Sequence, residues 1–94
     1  MKIQQMIYFC AVCRHMNYHQ AARELGVSQP TLSAALQRLE KEFGLDLFVR
    51  SRKTFSLTEA GRYFLECAKP IVEDFQDIHR EMKIMGGYSG TVKQ

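Results

Sequence analysis

Apolar residues recur along this chain at helical spacing, and short stops break them into separate registers. Ile3, Met6, Cys10 and Cys13 fall on one face of a helix predicted over residues 2–14; Ile7, Phe9 and Val12 widen that face. Asn17 offers an N-cap with Gln20 three residues on, the spacing of a capping box. A short helix over 18–25 then turns Tyr18, Ala21, Ala22 and Leu25 inward, and Gly26 ends it. Ser28 caps the next helix and Pro30 sits in its first turn, where backbone N–H groups have no intrahelical partner. Leu32, Leu36, Leu39 and Phe43 form its core stripe, and Gly44 stops it.

From Leu45 the pattern changes. Leu47, Phe48 and Val49, then Thr54, Phe55, Ser56 and Leu57, predict two short strands around a basic turn, Arg50-Ser51-Arg52-Lys53. Such a hairpin is marginal alone, so Phe48, Phe55 and Leu57 must lean on the helices. Thr58 or Ser56 can cap a last helix, Ser56 with Glu59 at capping-box spacing. Its apolar positions 60, 64, 67, 71, 75, 78, 82 and 85 approach a heptad. That helix would run about 40 Å, with a kink at Pro70 and an end at Gly86-Gly87. Residues 88–94 form a tail containing Gly90-Thr91-Val92.

The spacing of Ala22, Gly26 and Leu32 is that of a helix-turn-helix: a small residue for a close crossing, a glycine to turn, a leucine to plug the core. Opposite the leucines, the second helix of the pair presents Pro30, Ala34, Gln37, Arg38 and Lys41, flanked by Thr31 and Ser33. Helices of this kind enter the DNA major groove with their first turn. The side chains of Gln29, Thr31, Ser33 and Gln37 can donate and accept hydrogen bonds at base edges. Glutamine suits adenine, and the apolar atoms of Pro30 and Thr31 suit thymine methyls. An acid-free start also leaves the helix N-terminus open to phosphate. Arg50, Arg52 and Lys53 fit a wing that holds the DNA backbone or reaches the minor groove.

Charge sharpens the division. Through Thr58 there are eight Lys/Arg against four acids, while the remainder has five against six. The first part attracts a polyanion and the second serves another purpose. An exposed stripe of Phe64, Cys67, Ile71, Phe75, Ile78 and Met82 would be sticky unless covered. The simplest cover is the same helix of a second copy, making a homodimer through residues 58–85 that presents two recognition helices to an interrupted palindrome.

The run from Tyr18 to Ser33, YHQAARELGVSQPTLS, resembles the helix-turn-helix of LysR-type transcriptional regulators. Leu39-Glu40 through Gly44-Leu45, Leu47-Phe48, and Leu57-Thr58-Glu59-Ala60-Gly61 match that family's later signature. The resemblance spans residues 1 to about 92. It implies a winged helix-turn-helix followed by a linker helix that pairs two subunits, then an inducer-binding domain of two α/β lobes. Gly90-Thr91-Val92 resembles the entry to that domain, which would hold the small-molecule inducer and lies outside this sequence. By position, Gln29, Pro30, Thr31 and Ser33 match the family's base-contacting segment, and Arg50 to Lys53 match its wing. Ala34 stands where many members carry a basic or large polar residue, and Asn17-Tyr18-His19 replaces a frequent Ser/Phe/Thr trio.

The expected fold is therefore mainly α: a three-helix core plus a two-stranded β wing over residues 1–57, a long dimerisation helix over 58–87, and the tail over 88–94. The expected DNA contacts are Ser28, Gln29, Pro30, Thr31, Ser33, Gln37 and Arg38 on the recognition helix, with Lys41 adding phosphate contact, and Arg50, Arg52 and Lys53 on the wing. The rival reading is a helical protein-interaction module that uses the long amphipathic helix and binds no DNA. Enzymatic readings lack support: there is no glycine-rich phosphate loop, no credible carboxylate pair, and no nucleophile with a base. No membrane span is present, which points to the cytoplasm. No cofactor is called for. Cys10 and Cys13 form a C-x-x-C near His15 and His19, but both fall on the apolar stripe, so core packing is preferred over zinc or redox roles. Cys67 lies on the expected dimer seam, where a reducing cytoplasm argues against a cross-link.

Overall fold

The computed structural model describes residues 1–51 and 53–88. The elements run α1 (Ile3–His15), α2 (Tyr18–Leu25), α3 (Gln29–Phe43), β1 (Phe48–Arg50), β2 (Phe55–Leu57) and α4 (Glu59–Tyr88). The two strands pair antiparallel, with Phe48 opposite Leu57 and Arg50 opposite Phe55.

Local chemistry sets the boundaries. Asn17 accepts the Gln20 amide at 2.8 Å, and Ser28 accepts the Thr31 amide at 3.2 Å, each satisfying an orphan donor of the first turn. Gly26 (φ 70°) and Gly44 (φ 72°) take the left-handed conformation that ends α2 and α3. Helix α1 ends the same way without a glycine: Met16 adopts φ 47°, a strained choice imposed because α2 begins two residues later.

The core is built on α1, whose Phe9, Ala11 and Val12 are wholly buried, against Ala21 and Ala22 of α2 and Leu32, Leu36 and Leu39 of α3. Tyr8 and Ala11 join this core although the periodicity pointed elsewhere. Aromatic rings tie in the remaining elements. Phe9 meets Phe48 of β1 at 5.3 Å and Phe64 of α4 at 4.8 Å, and Phe48 stacks on Phe55 at 5.0 Å. The hairpin thus leans on the helices through Phe48, Phe55 and Leu57, as its marginal size demands.

Helix α4 departs from expectation in its inward face and in its end. Its inward face is Gly61, Leu65, Ala68 and Val72 with Phe64, packed on Met6 and Cys10 of α1, because a heptad count selects one stripe and this helix has two. Of the two expected caps it is Thr58 that serves: its Oγ1 accepts the Gly61 amide at 2.9 Å. The helix also continues through Gly86 and Gly87 to Tyr88, and neither glycine takes a positive φ. Glycine costs a helix only about 1 kcal/mol relative to alanine, which weakens the ladder without stopping it. Pro70 lies inside the helix, which runs on through it. Gly90-Thr91-Val92 falls outside the described residues. Among the described residues no helix is long and apolar enough to cross a membrane.

Candidate nucleic-acid interface

The start of α3 is held open to solvent by the core beneath it. Leu32, Leu36 and Leu39 are fully buried, while Ser28, Gln29, Pro30, Thr31, Gln37 and Arg38 are exposed and Ser33 is half-buried. The turn from α2 is short: the Gly26 amide donates to Arg23 O at 3.3 Å and the Val27 amide to Ala22 O at 3.1 Å. Ala22, buried at the crossing, brings the two helices close. Ser28 has a second bond, donating from Oγ to Thr31 Oγ1 at 2.8 Å. That bond engages both hydroxyls and orders the first turn, where Ser28, Gln29 and Thr31 all remain exposed. Arg38, Lys41 and Lys53 are exposed and have no ion-pair partner among the described residues, which leaves their charge available to an anion.

The far end of α2 is pinned to α1 by an exposed cluster. Glu24 accepts from Arg14 and lies 2.7 Å from His15 Nε2. The Arg14 hydrogen bond holds its carboxyl below the usual glutamate range, aided by His15 against a smaller desolvation.

The sequence places Arg50 in the basic turn, whereas the structure puts it at the end of β1, where its Nη2 donates to Tyr18 OH at 3.0 Å and to Glu40 Oε1 at 3.2 Å while the side chain stays 40% exposed. Its guanidinium carbon stands 5.6 Å from the Phe48 ring centroid. Burial and the bond from Arg50 act oppositely on the Tyr18 phenol, and burial wins, raising its pKa. Glu40 is the residue that reading by sequence missed. An acid in the last turn of an amphipathic helix looks solvated, yet this one is buried, and its Oε2 accepts from Leu47 N at 2.7 Å and Phe48 N at 3.3 Å. Its partners lie seven to ten residues downstream, beyond any helical pattern.

The hairpin tip is closed by hydroxyls. Thr54 N donates to Ser51 Oγ at 3.0 Å, and Ser51 N to Thr54 O at 3.0 Å. Lys53 is exposed there; Arg52 lies outside the described residues.

On α4, Ile71, Phe75, Ile78 and Met82 are exposed along one face, as is Cys67. Phe64 is corrected: it packs edge-on against Phe9 and Phe43 of its own chain and is not part of an exposed stripe. Cys10 and Cys13 lie in or against the core. Burial first, then the neighbouring Cys10, push the Cys13 thiol up to about 12, far from the thiolate that metal binding or redox exchange uses.

A helix-turn-helix followed by an antiparallel β hairpin and packed on a long helix defines the winged helix-turn-helix class. The profile described as "Bacterial regulatory helix-turn-helix protein, lysR family" matches residues 3–62. The chain belongs to the LysR family of bacterial regulators. It is 36% identical over 92 residues to the probable cat1 operon transcriptional activator of Acinetobacter lwoffii, a match that covers 98% of this chain and 30% of that relative. Among solved structures it resembles the CbnR DNA-binding domain in complex with DNA (TM-score 0.75, 36% identity, 92% of this chain and 99% of that one). It also resembles the BenM DNA-binding domain on catB site 1 DNA (TM-score 0.79, 29% identity, 90% of this chain and 96% of that one). The chain thus spans about a third of the length of the curated relatives it matches.

Proposed function

We propose that this chain binds double-stranded DNA sequence-specifically, as the DNA-contacting portion of a LysR-type transcriptional regulator. The observation that carries the reading is the exposed, serine-capped first turn of α3, with polar, acid-free side chains above three fully buried leucines. Gln29, Pro30, Thr31, Ser33 and Gln37 approach base edges, while Arg38, Lys41 and Lys53 meet phosphates. Two chains pair through the outward face of α4, formed by Ile71, Phe75, Ile78 and Met82 with Cys67 at its edge, and so address the two halves of an interrupted palindrome. Residues 1–57 act as the reading head and 58–87 as the linker. A small-molecule inducer belongs to a further domain of the regulator, and the setting is the cytoplasm. The role is regulatory, not catalytic.

The test is selection of bound duplexes from a random-sequence library, followed by gel shifts at two salt concentrations. A DNA reader enriches a common two-half motif and loses affinity as salt rises. A protein-interaction module enriches nothing and shows no salt-sensitive retention.

A further inference from the structure

We infer that Glu40 is a positioning residue for DNA binding, one that touches no duplex but aims the wing relative to the recognition helix. The inference rests on the DNA-binding reading above. Four observations carry it. First, the Glu40 side chain is only 8% exposed, and a carboxylate is withdrawn from water to that extent only when hydrogen bonds replace the water. Second, its hydrogen-bond donors among the described residues all come from one short downstream segment: the amides of Leu47 and Phe48 at 2.7 and 3.3 Å, and the guanidinium of Arg50 at 3.2 Å. Third, Glu40 stands in the last turns of α3, where the helix dipole disfavours a negative charge. Its own helix gains nothing from an acid there, whereas the wing does. Fourth, Arg50 Nη2 also reaches Tyr18 OH at 3.0 Å, so α2, α3 and β1 meet at one guanidinium.

Direction is what these bonds add. The ring contacts of Phe48 with Phe9 and Phe55 hold the hairpin against the helices, but ring packing fixes angle less tightly than a hydrogen bond does. Charge-assisted hydrogen bonds fix angle as well as distance. Strands of three residues each cannot set their own bearing. The carboxylate of Glu40 sets it for them. Arg50 therefore acts through Glu40, and phosphate contact by the wing falls to its tip, where Lys53 is exposed.

Two variants of the full chain test this on the duplex selected by the wild type. Glu40→Gln keeps the shape and loses the charge. Arg50→Lys keeps the charge and loses the fork that spans Tyr18 and Glu40. Lys53→Ala marks which hydroxyl-radical protections belong to the wing. Both variants are expected to melt as folded chains, to bind about three- to tenfold more weakly, and to lose those same protections while the recognition-helix footprint persists. The slope of log affinity against log salt falls by about 1 for each phosphate the wing no longer holds, and combining either variant with Lys53→Ala adds little. The inference is overturned if Glu40→Gln leaves footprint and slope intact, since the carboxylate would then set no bearing for the wing. It is equally overturned if all protections fade together in proportion to unfolding, which is a purely structural role. A wild-type chain without salt-sensitive retention overturns the DNA-binding reading itself, and is seen before any variant is compared.

Discussion

Gly61 in the first turn of α4 lies so close to the carbonyl of Leu47 that a β-carbon on it would overlap the oxygen. The same carbonyl accepts the Thr58 amide at 3.0 Å, so it is held in place. A backbone oxygen cannot swing aside as a flexible side chain can. Gly61→Ala must push α4 off the start of the wing, at a cost of about 1–3 kcal/mol. Urea unfolding measures this, and an unchanged midpoint would refute the close fit.

Gln29 is exposed at the head of α3. Gln29→Ala is expected to lose about 1–3 kcal/mol on the selected site and nothing on random duplex. Competition titrations separate the two. Equal loss on both would remove Gln29 from base reading.

Two apolar residues of α4 are expected to behave oppositely. Ile78 is 63% exposed, whereas Phe64 packs between Phe9 and Phe43. Ile78→Asp should shift sedimentation from dimer to monomer while the chain keeps its helical circular dichroism. Phe64→Ala should cost roughly 3 kcal/mol of folding stability. A dimeric Ile78→Asp chain would move the interface elsewhere.

Glu24 supplies an acid dependence. Its folded pKa is depressed, chiefly by the Arg14 hydrogen bond. The stabilisation is therefore complete above the ordinary glutamate value of 4.5 and drains away as pH falls through the lowered one. Glu24→Gln lacks it. The gap between the unfolding midpoints of wild type and variant should narrow as pH is taken below 4.5. A gap that widens there would reverse the sign and exclude the mechanism.

What the sequence made legible was local. The N-caps at Asn17 and Ser28, the left-handed stops at Gly26 and Gly44, and the leucine stripe of α3 are all decided within one or two turns of chain. Helix boundaries there came out within a residue or two of expectation. What stayed hidden depended on partners far along the chain. Arg50 looked like a free cation because nothing nearby reveals that Glu40, ten residues earlier, points at it. Ala68 and Val72 were passed over because helical periodicity reports an apolar face without saying whether the same chain or another covers it. Phe64 was misplaced for that reason. Ser51 reads as an ordinary turn residue and Thr54 as the first of a strand, although their hydroxyls close the hairpin. Within the interface, the exposed turn 28–31 was readable from its cap and proline, whereas the anchoring of the wing was not.

Leu47 is clasped on both sides. Its N–H is held by Glu40 of α3 at 2.7 Å and its C=O by the amide of Thr58, next to the start of α4, at 3.0 Å. Two hydrogen bonds to one residue link α3 to the start of α4. One residue at the start of the hairpin is therefore the shared joint of α3 and α4, and a change in the seat of either helix is felt at the same peptide unit.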